Sequence, residues 1–231
     1  MDNQDIFGEA MHDFLNGKFE EPLLLYNEYG PPEEIPPEAF FIDEDGFDEL
    51  EDYALTLCYG KILDVGAAAG RHSLHLQNQK KKVFALDNSP TCCKIMTELG
   101  LQKVICEDMF QHKKQNYDTI LLLMNGIGLG GTEKGAIQML KHFTNLLKPN
   151  GQIICDSSDI EYLYEDIAKP LDTYYGELKY QYDYKGRKGP WFKWLYADPK
   201  LMGRLANEAG YNMQILYSET SGRFLTRLTL R

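Results

Sequence analysis

Two aspartates and a loop of small residues form the pattern in this chain that could bind a nucleotide-like ligand. A short apolar run ends at Asp64, the loop Gly66–Gly70 follows, and after a helix-like segment a second apolar run ends at Asp87. Small residues let a backbone approach a ligand closely, and a carboxylate after the second strand can accept hydrogen bonds from both hydroxyls of a ribose. This order of strand, loop, helix, strand and acid predicts a nucleotide-binding crevice.

The spacing of the glycines argues against a dinucleotide cofactor. A dinucleotide-binding loop has the pattern G-x-G-x-x-G, whereas this loop has Ala68 at the second glycine position and Arg71 at the third. The phosphate cradle is therefore incomplete. Asp64 directly before the loop, with Gly66 and Gly70 four residues apart, suits a ligand without phosphates.

The elements that position these residues alternate between strand and helix from residue 61 to residue 156. The apolar runs ILDV, VFAL, KVI, ILLL and QII are continuous rather than alternating, which is typical of parallel strands buried on both faces. Ser89-Pro90 predicts a helix start. An apolar stripe over 136–147 predicts another helix, which the turn Pro149-Asn150-Gly151 ends. These patterns predict an α/β fold.

Residues 1–60 form an acidic segment with a different pattern. They hold seventeen Asp and Glu and one Lys, which gives −16, whereas residues 61–231 carry +5 and the whole chain carries −11. Apolar spacing predicts helices near 6–15 and 47–57, with the proline-rich run 31–38 between them. We therefore predict an acidic helical N-terminal leader over 1–60 and a main domain over 61–231.

Residues 160–197 form an aromatic-rich insert after the fifth strand of the main domain. Eight of the fifteen tyrosines and both tryptophans lie between residues 162 and 196. Alternating aromatics on either side of 185–188 predict a β-hairpin. The insert is either a lid whose aromatic walls exclude water and hold a cationic amine, or a surface for a homodimer. A helix from Pro199 and a closing hairpin over 213–230 are predicted to follow.

Composition restricts the remaining classes of protein. No basic and apolar leader sequence and no apolar run of membrane-spanning length are present, so we expect a cytoplasmic protein without a membrane partner. The five cysteines show no paired metal-ligand spacing, and we expect free thiols and no metal. Only Lys80–Lys82 and Lys185–Lys188 form basic clusters. Because nucleic-acid binders carry a dense basic face, this argues against a nucleic-acid partner.

Five ordered motifs resemble those of class I S-adenosylmethionine-dependent methyltransferases. ILDVGAAAGRHSLHL resembles the first motif, D-x-G-x-G-x-G, and VFALD and CEDMF resemble the second and third. YDTILLLMNGIG and LLKPNGQIICD resemble the fourth strand, the turn and the fifth strand. The resemblance covers roughly residues 50–160, and 198–231 fit the last helix and hairpin of the family. It implies a doubly wound, mostly parallel seven-stranded sheet of Rossmann-like type, with the helical leader and the inserted hairpin as additions.

The resemblance implies S-adenosylmethionine as cofactor and gives roles to five residues of the first two motifs. Gly66, Ala68 and Gly70 would let the loop pass under the methionine part of the cofactor. Ala68 replaces the commoner glycine, which is tolerated if its φ is negative. Asp64 would hold the amino group of the cofactor, and Asp87 the ribose hydroxyls. Both acids could instead cap the ends of their strands.

The later motifs place the adenine and the reacting groups. By resemblance, Asp108 would accept a hydrogen bond from the adenine amine, with Met109 beside the ring and Asn125 near the transferred methyl group. Glu107 is an alternative to Asp108, because a shift of one residue in the strand would exchange the two. No catalytic base stands out, and Asn125 and Asp156 are the candidates.

The expected activity is methyl transfer to a small-molecule acceptor by in-line displacement, in which alignment of the reactants does most of the catalytic work. Residues 124–127 do not match the D/N-P-P-Y/F motif of enzymes that methylate amino groups in nucleic acids. No cysteine stands there for covalent attack on cytosine either. A protein or RNA acceptor and a non-enzymatic binding module remain as alternatives.

Overall fold

The computed structural model of the protein describes residues 5–41, 46–113 and 116–231. Short 3-10 helices lie at Pro37–Phe40, Gly126–Gly130 and Glu161–Tyr164. In chain order the other elements are α1 (Ile6–Leu15), β1 (Leu23–Asn27), β2 (Glu33–Ile35), α2 (Glu49–Thr56), β3 (Lys61–Val65), α3 (Arg71–Asn78), β4 (Lys82–Asp87), α4 (Pro90–Glu98), β5 (Val104–Cys106), β6 (Tyr117–Leu122), α5 (Glu133–Thr144), β7 (Leu147–Ser158), β8 (Glu177–Tyr184), β9 (Arg187–Lys188), β10 (Phe192–Leu195), α6 (Pro199–Glu208), β11 (Tyr211–Ser218) and β12 (Arg223–Leu230).

A seven-stranded sheet contains every strand predicted from the apolar runs. Its order is β11-β12-β7-β6-β3-β4-β5. The pairs β4–β5 and β6–β7 are parallel, whereas β12 runs antiparallel to β7 and β11. The predicted α/β fold with a mostly parallel, Rossmann-like sheet is confirmed. Parallel strands present their carboxyl ends at one edge, where ligands bind in such sheets.

A second sheet adds two strands to residues 1–60, which the sequence predicted as a helical leader. α1 and α2 match the two predicted helices, but β1 and β2 form an antiparallel pair between them. β1 also pairs antiparallel with β8, from Leu24 opposite Asp183 to Asn27 opposite Tyr180. The order of this sheet is β10-β8-β1-β2, with β9 paired to β8. The N-terminal strands were missed because β1 and β2 are short and depend on β8, which lies far away in the sequence.

The predicted hairpin of the insert is confirmed. β8 pairs with β9 antiparallel, and Lys185 and Gly186 form the two-residue connection. Their φ values are +54° and +68°, as a type I′ turn requires at both central positions. The turn therefore matches the right-handed twist of the strands that it joins.

The predicted turn at Pro149-Asn150-Gly151 lies inside a strand. β7 already begins at Leu147, and its pairing with β6 shifts from Leu147 opposite Tyr117 to Gln152 opposite Thr119. The extra residues bulge outward, which leaves Pro149 and Asn150 exposed. The helix predicted over the preceding stripe ends at Thr144, so Leu147 belongs to the strand.

The chain divides into two compact units, each built from three separate segments. The first unit takes the described residues of 1–46, 64–112 and 179–192, and the second takes those of 47–63, 113–178 and 193–231. The sequence-based boundaries at residues 60, 160 and 197 stay predictions. No helix in the described residues has both the length and the apolar character needed to cross a membrane.

In the first unit, the N-terminal helix α1 packs on helix α4. Ile6, Ala10 and Met11 lie in one buried cluster with Cys92 and Ile95. Acidic residues of α1 also pair with the basic turn after β8: Asp13 with Lys185 and Glu9 with Arg187. Apolar burial holds the helix against α4, and ion pairs fix its outer face.

Candidate functional site

The small-residue loop of the first unit connects β3 to α3, and a backbone hydrogen bond attaches it to β4. The amide of Gly66 donates to the carbonyl of Leu86 at 2.8 Å, and the amide of Gly70 donates to the carbonyl of Ala67 at 2.7 Å. Gly66 and Gly70 have φ values of +73° and +86°. These backbone bonds and positive φ angles fold the loop tightly over the end of β4, as the motif predicts.

Gly70 is required for packing as well as for backbone conformation. A Cβ atom at this position would lie 2.8 Å from Cγ of Met96 on α4. Gly70 is also the N-cap residue of α3 in left-handed conformation. The loop therefore needs glycine here even before a ligand is considered.

Ala68 does not meet the condition under which alanine would be tolerated here, a negative φ. Its φ is +49°, a left-handed conformation that costs an alanine about 1–2 kcal/mol. The amide of Ala68 donates to Oδ2 of Asp87 at 2.8 Å. This bond to a half-buried carboxylate offsets the strain, since charge-assisted hydrogen bonds are the stronger ones. Backbone strain of this kind clusters at functional sites.

The Asp87 carboxylate is fixed on both oxygens by backbone amides. Oδ2 accepts from Ala68, and Oδ1 accepts from the amide of Ser89 at 2.8 Å. The pKa of Asp87 is raised to about 6, chiefly by burial; the two amides oppose this increase, and the charges of Asp5 and Asp64 add to it. A carboxylate offers about four lone-pair sites. Two amides leave acceptor capacity for two vicinal hydroxyls, so the geometry fits the predicted ribose contact.

Asp64 lies almost completely buried at the end of β3, with 3% of its surface exposed. Its Oδ2 accepts from the hydroxyl of Ser73 at 2.7 Å. Burial raises the pKa of Asp64, and the nearby His72 and the Ser73 hydroxyl lower it. The Ser73 bond joins the strand end to the first turn of α3, which is the capping role that the sequence left open. A contact of Asp64 with the cofactor's amino group stays a prediction.

The structure separates the two acids that follow β5. Nδ1 of the buried His112 lies 2.6 Å from Oε1 of Glu107, so the Glu107 carboxylate is engaged within the protein. Asp108 is exposed, and its Oδ1 accepts from the amide of Phe110 at 2.7 Å. Met109 lies half-buried in the same turn. These positions favour Asp108 over Glu107 as the acid available to an adenine amine.

In the second unit, the backbone is strained directly after β6. Met124 and Asn125 have φ values of +60° and +57°, two consecutive non-glycine residues in the left-handed region. Oδ1 of Asn125 is buried and has no hydrogen-bond partner within the described residues. Buried acceptors almost always find a partner. An orphaned acceptor on a strained turn is the arrangement expected of a ligand-binding position.

Asp156 on β7 supports this strained turn. It is fully buried, and its carboxylate accepts from the amides of Gly126, at 3.3 Å, and Asn125. Nε of Arg223 lies 3.4 Å from Oδ2. Burial raises the pKa of Asp156 to about 6, while Arg223 and the two amides lower it. The two amide contacts hold the turn on Asp156, which gives this carboxylate a positioning role. A catalytic role for Asp156 stays a prediction.

Tyrosines of the insert bind acids at the ends of neighbouring elements in the second unit. The hydroxyl of Tyr174 donates to Oδ2 of Asp198 at 2.5 Å, and that of Tyr175 donates to Oδ1 of Asp159 at 2.7 Å. Burial raises the pKa of both phenols above the usual value, so they remain protonated donors. The bonds fix this part of the insert to the end of β7 and the start of α6.

Sequence reasoning missed three functional contacts. Ser73 orients Asp64, Arg223 binds Asp156, and the amide of Ala68 binds Asp87. Ser73 lies in the first turn of the helix that follows the glycine loop, and this position could have been found from the sequence. The other two depend on strand pairing and on a loop conformation that a sequence does not display. In the part of the chain that the structure describes, no cluster of three or more metal-ligating side chains occurs.

The chain is similar to known methyltransferases. A family described as a methyltransferase domain matches residues 62–151. An S-adenosylmethionine-dependent methyltransferase from Bacteroides fragilis, solved in complex with S-adenosyl-L-homocysteine, is 32% identical, with 99% of this chain and 95% of that chain covered and a TM-score of 0.90. No curated protein matches. Since the Bacteroides fragilis enzyme is similar over nearly its whole length, the chain belongs to the S-adenosylmethionine-dependent methyltransferases.

Two more distant structures share the fold. The CcbJ methyltransferase from Streptomyces caelestis is 14% identical, with 87% of this chain and 97% of that chain covered and a TM-score of 0.63. The sugar N-methyltransferase KedS8 from Streptoalloteichus is 15% identical, with 79% and 85% covered and a TM-score of 0.56. At this level of identity the likeness concerns the fold alone.

Proposed function

We propose that this enzyme transfers the methyl group of S-adenosylmethionine to a small-molecule acceptor that carries an N–H or O–H group. The orphaned, buried Oδ1 of Asn125 carries this proposal. A buried acceptor without a partner costs about 1–3 kcal/mol, and an N–H or O–H of a bound acceptor would remove that cost. Asn125 would then orient the nucleophile.

The residues of the first unit fit the cofactor. The Asp87 carboxylate, clamped by two amides, would accept from the ribose hydroxyls, and Asp108 from the adenine amine. Gly66 and Gly70 would keep the loop free of side chains where the methionine part passes. The cofactor supplies an activated methyl group on a sulfonium, so the protein has to align the reactants and exclude water.

The basic turn after β8 gives little support to an RNA acceptor. Lys185 pairs with Asp13, Arg187 pairs with Glu9, and the ammonium of Lys188 lies 4.0 Å from the ring centre of Tyr26. The cations of this turn thus have partners within the protein. A net charge of −11 also works against binding a polyanion. These observations support a small molecule over the RNA alternative.

Calorimetry with S-adenosylmethionine and S-adenosylhomocysteine tests cofactor binding. We expect binding by the wild type, and Asp87→Ala to lose about 1.5–3 kcal/mol of affinity, the worth of hydrogen bonds to a charged group. Glu98→Ala, an exposed acid at the end of α4, is the matched control and should bind as the wild type does. Equal affinity of the Asp87 variant would contradict the ribose contact, and no binding at millimolar ligand would contradict the cofactor assignment.

A panel of acceptors tests the substrate class. Small amines and alcohols, a mixed protein extract and total RNA are each incubated with enzyme and cofactor labelled in the methyl group. We expect label in the small-molecule fraction. Label confined to protein or to RNA would favour those alternatives, and cofactor binding without transfer to any pool would favour a non-enzymatic module.

We also propose a cytoplasmic location and no membrane or nucleic-acid partner. All five cysteines are free, which supports a reducing compartment. Fractionation of cells with an antibody against the protein tests the location. The insert remains a candidate surface for a homodimer, and the mass of the protein in solution by light scattering tests that.

A further inference from the structure

One carboxylate at the start of the N-terminal helix touches the cofactor-binding region. Asp5 precedes α1, and its Oδ1 accepts from the amide of Gly8 at 3.1 Å. Its Oδ2 accepts from the hydroxyl of Ser89 at 2.7 Å and from the amide of Thr91 at 3.3 Å. Asp5 therefore caps its own helix and binds the β4–α4 turn at the same time.

Ser89 joins this contact to the carboxylate proposed to bind ribose. Its amide donates to Oδ1 of Asp87 at 2.8 Å, and its hydroxyl accepts from the amide of Cys92 at 2.9 Å. The hydroxyl proton thus points to Asp5, and the amide points to Asp87. Ser89 is therefore hydrogen-bonded to both Asp5 and Asp87 and is the single residue between them.

The approach of α1 to this turn is close. A Cβ atom at Gly8 would lie 2.6 Å from the Asp5 carboxylate and 2.7 Å from Oγ of Ser89. A side chain at this helical position would therefore require the Asp5 carboxylate and the Ser89 hydroxyl to shift. We call Asp5, Gly8 and Ser89 the α1 latch.

A second contact ties the N-terminal segment to the glycine loop. Arg71 follows Gly70 directly, and its guanidinium donates to the carbonyl of Ala39 at 3.1 Å and to that of Gly46 at 2.7 Å. Arg71 stands where a dinucleotide motif would have its third glycine. Both contacts with the N-terminal segment thus come from residues within two positions of proposed cofactor contacts.

We propose that docking of α1 and binding of the cofactor are energetically coupled through the α1 latch, with Asp5 as a positioning residue for Asp87. The inference rests on the proposed cofactor role of Asp87. When Asp87 accepts from the ribose, the bound cofactor further restrains the carboxylate and, through it, the amide of Ser89, which favours the docked helix. Conversely, release of α1 frees Ser89 and loosens the clamp on Asp87, since coupling between two sites is reciprocal.

The sequence provides a direct probe of α1 docking. Lys18, exposed and three residues after α1, is the only Lys or Arg among the first sixty residues. Trypsin can therefore cut this segment at a single site, and the rate of that cut reports how often the region opens. We expect saturating S-adenosylhomocysteine to slow the cut at least about fivefold, the lower end of typical coupling between sites.

Two variants break the α1 latch by independent routes. Asp5→Asn removes the negative charge that accepts the hydrogen bond from the Ser89 hydroxyl. Gly8→Ala adds a methyl group that displaces the Asp5 and Ser89 side chains, while it improves the helix propensity of α1. We expect the protection by S-adenosylhomocysteine to fall below about twofold in both. Glu9→Gln is the control: it removes the ion pair with Arg187 and speeds the cut, but it keeps the fivefold protection.

A pH profile separates positioning of Asp87 from simple anchoring of the helix. Asp5 and Asp64 are the acids that raise the pKa of Asp87 through their charge. Asp5→Asn should move the midpoint of the pH dependence of S-adenosylhomocysteine affinity downward, and Glu9→Gln should leave it unchanged. An unchanged midpoint in Asp5→Asn would overturn the positioning role.

The remaining outcomes are also decisive. If the wild type binds S-adenosylhomocysteine but the cut at Lys18 is not slowed, the coupling is absent while the proposed function stands. Full protection in both Asp5→Asn and Gly8→Ala would likewise overturn the latch. If the wild type shows no binding at all in calorimetry, the proposed function itself fails and the inference falls with it.

Discussion

The amide of Ala68 donates to Oδ2 of Asp87 over 2.8 Å from a backbone whose φ is +49°. A strained alanine and a half-buried acid therefore stabilise each other at the junction of the glycine loop and β4. The left-handed backbone of Ala68 directs its amide at the carboxylate, and the charge-assisted hydrogen bond to Asp87 offsets the cost of that conformation. The side chain of Asp87 is thus held in place before any ligand arrives, which reduces the ordering cost of binding.

The raised pKa of Asp87 predicts that cofactor affinity falls in mild acid. Its pKa is about 6, raised mainly by burial, and only the ionised carboxylate accepts from two hydroxyls at full strength. At pH 5, about one unit lower, roughly a tenth of the molecules carry the ionised form, so affinity should fall up to about tenfold between pH 7 and pH 5. Calorimetric titration with S-adenosylhomocysteine across this range measures it. Asp87→Asn should bind weakly with a flat profile, and a wild type with a flat profile would refute the assignment.

From the raised pKa of Asp156 we expect its contribution to the unfolding free energy to decrease as pH rises. Its folded pKa of about 6 lies above the unfolded value near 4, so the folded state keeps its proton through a range where the unfolded state has lost it. The contribution of Asp156 to folding is therefore greatest below pH 4 and is lost as pH rises through 6. Asp156→Asn keeps the shape and an acceptor but cannot ionise.

Urea denaturation at pH 5 and pH 7 measures this effect. Relative to the wild type, Asp156→Asn should gain about 1–1.5 kcal/mol between the two pH values. Asp52→Asn, an exposed acid on α2, serves as control and should gain nothing. A constant difference between the Asp156 variant and the wild type would mean that this carboxyl titrates normally in the folded protein.

Continuous apolar runs and helix caps predicted most of the fold. β3, β4, β5 and β6 coincide with their predicted runs, and α4 begins after Ser89 as its N-cap signal predicts. These elements follow local rules, because burial on both faces and capping act on neighbouring residues. β1 was missed because its stability comes from pairing with β8, and the β7 bulge was missed because register with β6 decides it.

The candidate site was predictable in its residues but not in its contacts. Asp64 and Asp87 lie at the strand ends that their motif indicates. The positive φ of Ala68 was not predictable, since the sequence alone gives no reason for an alanine to leave the common region. Asp5 was not singled out from the sequence, because its bond to Ser89 joins parts of the chain far apart in sequence.

Gly70 and Gly100 form a matched pair for separating backbone strain from packing. Both have strongly positive φ, +86° and +90°. A Cβ at Gly70 would lie 2.8 Å from Cγ of Met96, whereas a Cβ at Gly100 would meet nothing within 4 Å.

Gly100→Ala should cost about 1–2 kcal/mol of unfolding free energy from backbone strain alone. Gly70→Ala should cost about 1–3 kcal/mol more, as typical overpacking does. Equal losses in urea denaturation would show that Met96 yields without cost.

Asn125 can be tested apart from the strain of its turn. Asn125→Gly removes the side-chain acceptor and relieves the left-handed backbone at φ +57°, and Met124→Gly relieves a similar strain at φ +60° while it keeps the acceptor. Asn125→Gly should be as stable as the wild type or more stable, because glycine adopts this conformation freely. In Met124→Gly the lost packing of the half-buried side chain opposes the same gain. Only Asn125→Gly should lose activity, by about 10–100-fold, the worth of about 1.4–3 kcal/mol of hydrogen bonding to the acceptor.

Initial rates of methyl transfer to the acceptor found in the panel measure this loss. The affinity for S-adenosylhomocysteine should be unchanged in both variants. An equal loss of activity in the two variants would mean that the shape of the turn matters to turnover and the amide oxygen does not.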